Sequence, residues 1–312
     1  VLRLLACVVP LLAVGLGAPA VAEPAEPPAV AYATGTVVHL PDGSSVTLPV
    51  RGRVEVLGRR AGQWLVAVDS ADDRVLAVRG RTVRQVWLHR YAEEAVGYQL
   101  RRGAAQVVES VTDRGGRTEL TVFDLDGDVV GSRAWFDGTS VIGQDDDALY
   151  VGFWERPTLR WVPGERSTKV GPVAELADPD HDLLFVATPS GDGDDEDDDQ
   201  VGPTALSAPG TPAWSADFEP SAVSPDGAWV AGETYRRRAL LEVRRVSDGA
   251  VVALPALALA GTTGVPVAWE ADGDLLAVVG TGGRRWLVRC TVTGDCERVT
   301  APTTARLGLV PR

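Results

Sequence analysis

An all-β fold of repeated four-stranded blades, a β-propeller, is what this sequence predicts, on three observations. Residues 224–232 read SPDGAWVAG, and residues 270–280 read EADGDLLAVVG. The same interval earlier stands DPDHDLLFVA, so Asp180, Asp226 and Asp272 recur every 46 residues. Each of these turn segments leads into an apolar run, beginning at Leu183, Trp229 and Leu275. Each period also divides into short apolar runs separated by turn residues, with no helical periodicity. A fixed period of about 40 to 50 residues is the signature of a propeller-like array.

At the N-terminus, VLRLLACVVPLLAVGLGAPAVAEP carries one basic residue, Arg3, then an apolar run and Ala20-Val21-Ala22. This pattern predicts a secretory signal peptide, residues 1–22, cleaved after Ala22. A competing lipobox reading would lipidate Cys7, but most of the apolar run would then lie after the cleavage point. The run is short for a membrane span and Pro10 interrupts it. Residues 23–34 form a Pro/Ala-rich segment, and residues 35–312 read as a single propeller domain.

Within that domain, the stretch from Thr36, TVVHLPDGSSVTLPV, gives a first hairpin. QWLVAV at Gln63 and QVVESV at Gln106 follow Gly62 and Gly103, as the later runs follow their turns. TELTVFDLDGDVVGSRAW is a third-and-fourth-strand hairpin with Asp126-Gly127 at its turn. QDDDALYVGF begins a looser copy at Gln144, and YAEEAVGYQLRR, from Tyr91, has room for one helical turn. Residues 265–300 spell out a complete unit of four strands. Six such units run from Arg51 to Thr300, and a last apolar run follows at 306–310. An open ring would leave an unpaired strand edge. Pairing the N-terminal hairpin with the C-terminal strand closes it and makes seven blades rather than six.

The repeated turn-and-apolar-run pattern, from Thr36 to Val310, resembles the WD40-like and TolB-like propellers of exported bacterial proteins. The resemblance implies a rigid ring that binds protein or small ligands on one face. True WD40 repeats end in Trp-Asp, whereas Leu88, Phe136 and Ser215 follow Trp87, Trp135 and Trp214 here. The family therefore speaks to fold, and fold does not imply function.

Composition narrows the function classes. Thirty basic against 43 acidic residues give a net charge of −13, which phosphate backbones repel, so no nucleic-acid partner is expected. Asn and Met are absent, and Ile142 and Lys169 are the sole Ile and Lys, a bias that points to a GC-rich bacterial genome. Cys290 and Cys296 flank Gly294-Asp295, and in an oxidising compartment they predict a disulfide across a hairpin.

Candidates for chemistry are few. The acidic run GDGDDEDDDQ, residues 191–200, holds seven carboxylates between Asp192 and Asp199 and has oxygen ligands for calcium. Its lack of a ligand register favours a solvated loop. Asp124-Leu125-Asp126-Gly127-Asp128 and Asp145-Asp146-Asp147 fall where the repeat demands turns, and turns are the better reading of both. His39, His89 and His181 show no partner, and Arg236-Arg237-Arg238 reads as a solvated turn. The sequence contains no G-x-S-x-G elbow or Asp-box. No catalytic, cofactor or metal residue is nominated. The expectation is a secreted or envelope-associated, monomeric, non-enzymatic module for an unidentified protein or ligand. Its rival, a glycan-active enzyme, predicts carboxylates with raised pKa values converging at the mouth of the central funnel.

Overall fold

The computed structural model describes residues 27–70, 72–89, 95–136, 138–188, 200–234, 240–260 and 267–310. The signal peptide, Cys7, Ala22, the acids from Asp192 to Asp199 and Arg236–Arg238 lie outside these residues. Seven antiparallel sheets follow one another around a ring. Blades 2 to 7 are residues 53–88, 95–135, 140–169, 174–205, 219–245 and 267–298. Blades 5 and 6 have three regular strands each. A fourth segment joins them through isolated bridges, Val201 to Ala216 in blade 5 and Arg244 to Val251 in blade 6.

Blade 1 is the composite that ring closure requires. Its innermost strand is C-terminal, Leu307–Leu309, and it pairs with Tyr32–Thr34, then Val37–His39 and Ser45–Thr47. Tyr32 faces Leu309 and Thr34 faces Leu307. The pairing strand falls within the Pro/Ala-rich stretch, because three residues are too few to show an alternating pattern. Likewise YAEEAVGYQLRR does not hold a helical turn in its described part. Ala95–Leu100 is instead the innermost strand of blade 3, with Tyr98 buried.

Blade packing explains why the second strand of each unit reads as an apolar run. In Gln63–Asp69, Val66 and Val68 pack with Val38, Val54 and Val56 toward blade 1. Leu65 and Ala67 pack with Val107 and Phe123 toward blade 3. A strand buried on both faces carries no polar alternation. Seven such apolar clusters fill the seven gaps between neighbouring blades. Tryptophans wedge several of them. Trp87 of blade 2 stacks on Phe123 of blade 3 at 4.4 Å, and Trp135 of blade 3 meets Trp161 of blade 4 edge-on at 5.5 Å. Trp214 donates its indole N–H to Val246 O at 2.7 Å, crossing from blade 5 to blade 6.

The 46-residue repeat marks the first turn of blades 5, 6 and 7. In blade 6, Asp226 Oδ1 accepts the Ser224 hydroxyl at 2.6 Å and the Ala228 N–H at 3.0 Å. Gly227 follows with φ +71°, the left-handed conformation this turn needs. In blade 5, His181 occupies the glycine position, and Asp182 takes the left-handed conformation instead. The turn tightens into a 3-10 helix, Pro179–His181, the only helix among the described residues.

Cys290 and Cys296 face each other across the last hairpin and are joined in a disulfide, with Cα atoms 4.1 Å apart. Among the described residues no helix is long and apolar enough to cross a membrane.

Candidate binding faces

Alternating strand direction sorts every connection onto one of two faces. The first-second and third-fourth turns share a turn face. The second-third connections and the blade-to-blade crossovers share the opposite, crossover face.

On the turn face, the Asp145–Ala148 turn of blade 4 forms a ridge between two clefts. Asp145 is fixed in place: its Oδ1 accepts the N–H groups of Asp147 and Ala148, and its Oδ2 receives Tyr150 OH and Arg160. Burial pushes its carboxyl toward neutrality, but those donors and the Arg160 charge outweigh burial and lower its pKa. Between blades 3 and 4 lies a cleft of about 390 Å³, bounded by Arg101, Gln106, Asp146, Asp147, Arg160 and Glu165. Between blades 4 and 5 lies one of about 510 Å³, which shares Asp146, Asp147 and Arg160. An ion pair between Arg102 of blade 3 and Asp180 of blade 5 spans the ridge.

The first of these clefts holds an unusual arginine. Arg101 is 5% exposed, yet among the described residues no carboxylate hydrogen-bonds it. Its guanidinium donates to Gln106 Oε1 at 2.8 Å and Asp146 O at 3.2 Å, while Nε has no partner. Burial lowers its pKa, and Asp145 and Asp147 oppose that fall through their charge. Among the described residues, no hydrogen bond or ion pair engages the carboxylates of Asp146, Asp147 or Glu165. All three residues are exposed.

Among the described residues, the large exposed aromatics lie on the crossover face. Trp154, between the second and third strands of blade 4, is 83% exposed, and Phe136, on the crossover into that blade, is 59% exposed. The two segments touch: Gly138 lies so near the indole that a Cβ there would come within 2.9 Å of Trp154 Nε1. Beside Gly138, Thr139 is buried and its hydroxyl has no partner.

The remaining described sequence candidates make contacts within the fold. Asp124 Oδ1 accepts the N–H groups of Asp126 and Asp128, closing the hairpin turn. His39 stacks on Tyr32 at 4.5 Å, and burial lowers its pKa. His181 bridges the first turns of blades 5 and 6, with Nδ1 on Asp178 at 2.7 Å and Nε2 on Pro225 O at 3.2 Å. His89 lies 3.3 Å from Glu109, a buried carboxylate. Glu109 also accepts from Trp87 Nε1 at 2.8 Å and Tyr98 OH at 3.1 Å, which ties blades 2 and 3 together. In QVVESV it reads as an ordinary polar residue of a strand. Burial first, then the Glu109 charge, raises the Tyr98 pKa.

Carboxyls with raised pKa do not gather at the clefts. Burial is the leading cause for Glu55, Asp73 and Asp274, and none of the three borders either cleft. Among the described residues no group of three or more His, Cys, Asp or Glu side chains is placed to hold a metal ion.

No protein-family model matches the sequence, and no curated protein matches it. Among solved structures, the chain is similar to the β-propeller domain of the Trilobed protease from Pyrococcus furiosus, described as having an open velcro topology. The identity is 11% and the TM-score 0.58, over 86% of this chain and 87% of that one. It is also similar to an acylaminoacyl peptidase from Pyrococcus horikoshii, at 13% identity and a TM-score of 0.57, over 85% of this chain. The match spans 47% of that enzyme, about half its length. TolB from Acinetobacter baumannii matches at 12% identity and a TM-score of 0.48, over 84% of this chain and 67% of that one. At these identities the likeness to the two Pyrococcus structures is one of fold alone, and the fold of this chain is a seven-bladed β-propeller.

Proposed function

We propose that this propeller is an exported, non-enzymatic binding module of the cell envelope or medium, and that it engages a protein partner through its crossover face. The observation that carries this reading is the exposure of Trp154 and Phe136 on adjoining loops of that face. Large exposed aromatics are costly to leave in water and are the residue types that dominate interface energetics. The Trp154 loop grows from Leu149–Gly152, a strand buried along its whole length, so little ordering entropy is lost there on docking. The signal-like N-terminus and the Cys290–Cys296 disulfide support an oxidising, extracytoplasmic location.

The test is capture from the producing cell's envelope and medium, with the protein beginning at Glu23 as bait. A partner held saturably by this bait, and released when Trp154 and Phe136 are both changed to Ala at unchanged melting temperature, supports the reading. Capture that the double variant leaves intact would remove the crossover face from the proposal. Sequencing the N-terminus of the exported protein checks the location, and Glu23 is the first residue expected.

A further inference from the structure

We infer that the cleft between blades 3 and 4 on the turn face is a binding site for a small molecule carrying both a carboxylate and a cationic nitrogen, with a free basic amino acid as the best match. This site lies on the face opposite the aromatic pair, so it stands or falls separately from the protein-binding reading.

The argument begins with Arg101. A buried guanidinium is stable when an anion satisfies its donors. Here, among the described residues, two of its nitrogens meet neutral oxygens, from Gln106 and the Asp146 backbone, and Nε, itself closed to solvent, meets none. Arg160 borders the same cleft, its side chain about one-third exposed and one of its nitrogens 3.4 Å from Asp145 Oδ2. Together they offer a carboxylate the charge-assisted N–H donors it binds best. On the other side stand Asp146, Asp147 and Glu165, exposed carboxylates with no hydrogen-bond or ion-pair partner among the described residues. A simple anion such as phosphate would be attracted by two arginines but repelled by three carboxylates. A diamine would satisfy the acids and leave Arg101 as it is. A molecule with one carboxylate and two cationic nitrogens meets both sets and neutralises the lining, which has two positive and three negative groups. Arginine and lysine have that composition, and a cleft of about 390 Å³ accommodates either.

Isothermal titration of the purified protein decides it, with L-arginine, agmatine (which lacks the carboxylate) and succinate (which lacks the cation) as probes. The expected result is saturable binding of L-arginine, with agmatine and succinate each weaker by about tenfold or more. The double variant Asp147→Asn, Glu165→Gln changes only exposed side chains and should fold normally, as its melting temperature will report. It should weaken L-arginine by about tenfold. No saturable binding of L-arginine up to about 10 mM overturns the inference. So does agmatine binding as tightly as arginine, or arginine binding that the double variant leaves unchanged.

Discussion

Glu270 Oε1 accepts the backbone N–H of Ala29 at 2.6 Å, across 241 residues of sequence. The same carboxylate pairs with Arg289, Nε to Oε2 at 2.5 Å, and Arg289 also reaches Pro27 O at 3.4 Å. Glu270 and Arg289 belong to blade 7, whereas Ala29 leads into blade 1. Strand pairing between Tyr32–Thr34 and Leu307–Leu309 is therefore not the sole closure of the ring. A buried ion pair clamps the incoming chain beside it.

Glu270 has a side chain only 2% exposed, and Glu270→Gln replaces the buried partner of Arg289 with a neutral amide, leaving it the exposed carboxylate of Glu297. Breaking a buried pair from one side costs about 3 kcal/mol. Urea unfolding should show this loss, with an unchanged slope if the ring still unfolds as one unit. A loss below about 0.5 kcal/mol would mean that the clamp is incidental to closure.

A smaller effect is expected at the disulfide. Cys290 and Cys296 close a short loop within a hairpin already paired on both sides of it. The loop-entropy model gives about 2 kcal/mol for the crosslink. Replacing both by Ala should lower the melting temperature by a few degrees and leave the fold intact, as far-UV circular dichroism would report. Loss of the folded state would show that the blade depends on the bond.

Stability should depend on pH through His181. Burial disfavours its charged form, but the hydrogen bond and charge of Asp178, with Pro225 O at the other nitrogen, raise its pKa above the usual value. A raised folded pKa stabilises fully below the unfolded value of about 6.5, and the contribution fades as pH rises through the folded value. The gap in urea midpoint between the native protein and His181→Gln should be widest near pH 6 and narrow by about pH 8.5. An equal gap at both pH values would rule out this titration.

Close approach near the axis gives a fourth expectation. Gly143, on the innermost strand of blade 4, lies against the carbonyl of Ala177 on the innermost strand of blade 5, with no room for a Cβ. Its backbone is not in the left-handed region, so the constraint is space alone. Gly143→Ala should destabilise by about 1 to 3 kcal/mol, as overpacking does, measured by thermal or urea unfolding. A neutral substitution would mean that blades 4 and 5 part readily.

Local chemistry determined what was legible in the sequence alone. Asp226 and Asp272 mark first turns because each side chain accepts an N–H of its own turn, whereas in blade 5 Asp178 does so and Asp180 pairs with Arg102. The runs at Gln63 and Leu275 mark second strands because burial on both faces removes polar alternation. Cys290 and Cys296 pair because a hairpin puts them opposite one another. Even ring closure followed, since an open edge is costly, although Tyr32–Thr34 was too short to recognise. Tertiary structure alone decided which residues of the same type face water and which face a blade. Trp135 and Trp161 are buried against each other while Trp154 is bare, yet all three are tryptophans at or just beyond strand ends. Arg101, Asp147 and Glu165 meet across a gap between two blades, and Glu270 meets Ala29 across almost the whole chain. Such neighbours are set by the angle at which one sheet follows the next, and that angle is not a local property of any stretch of sequence.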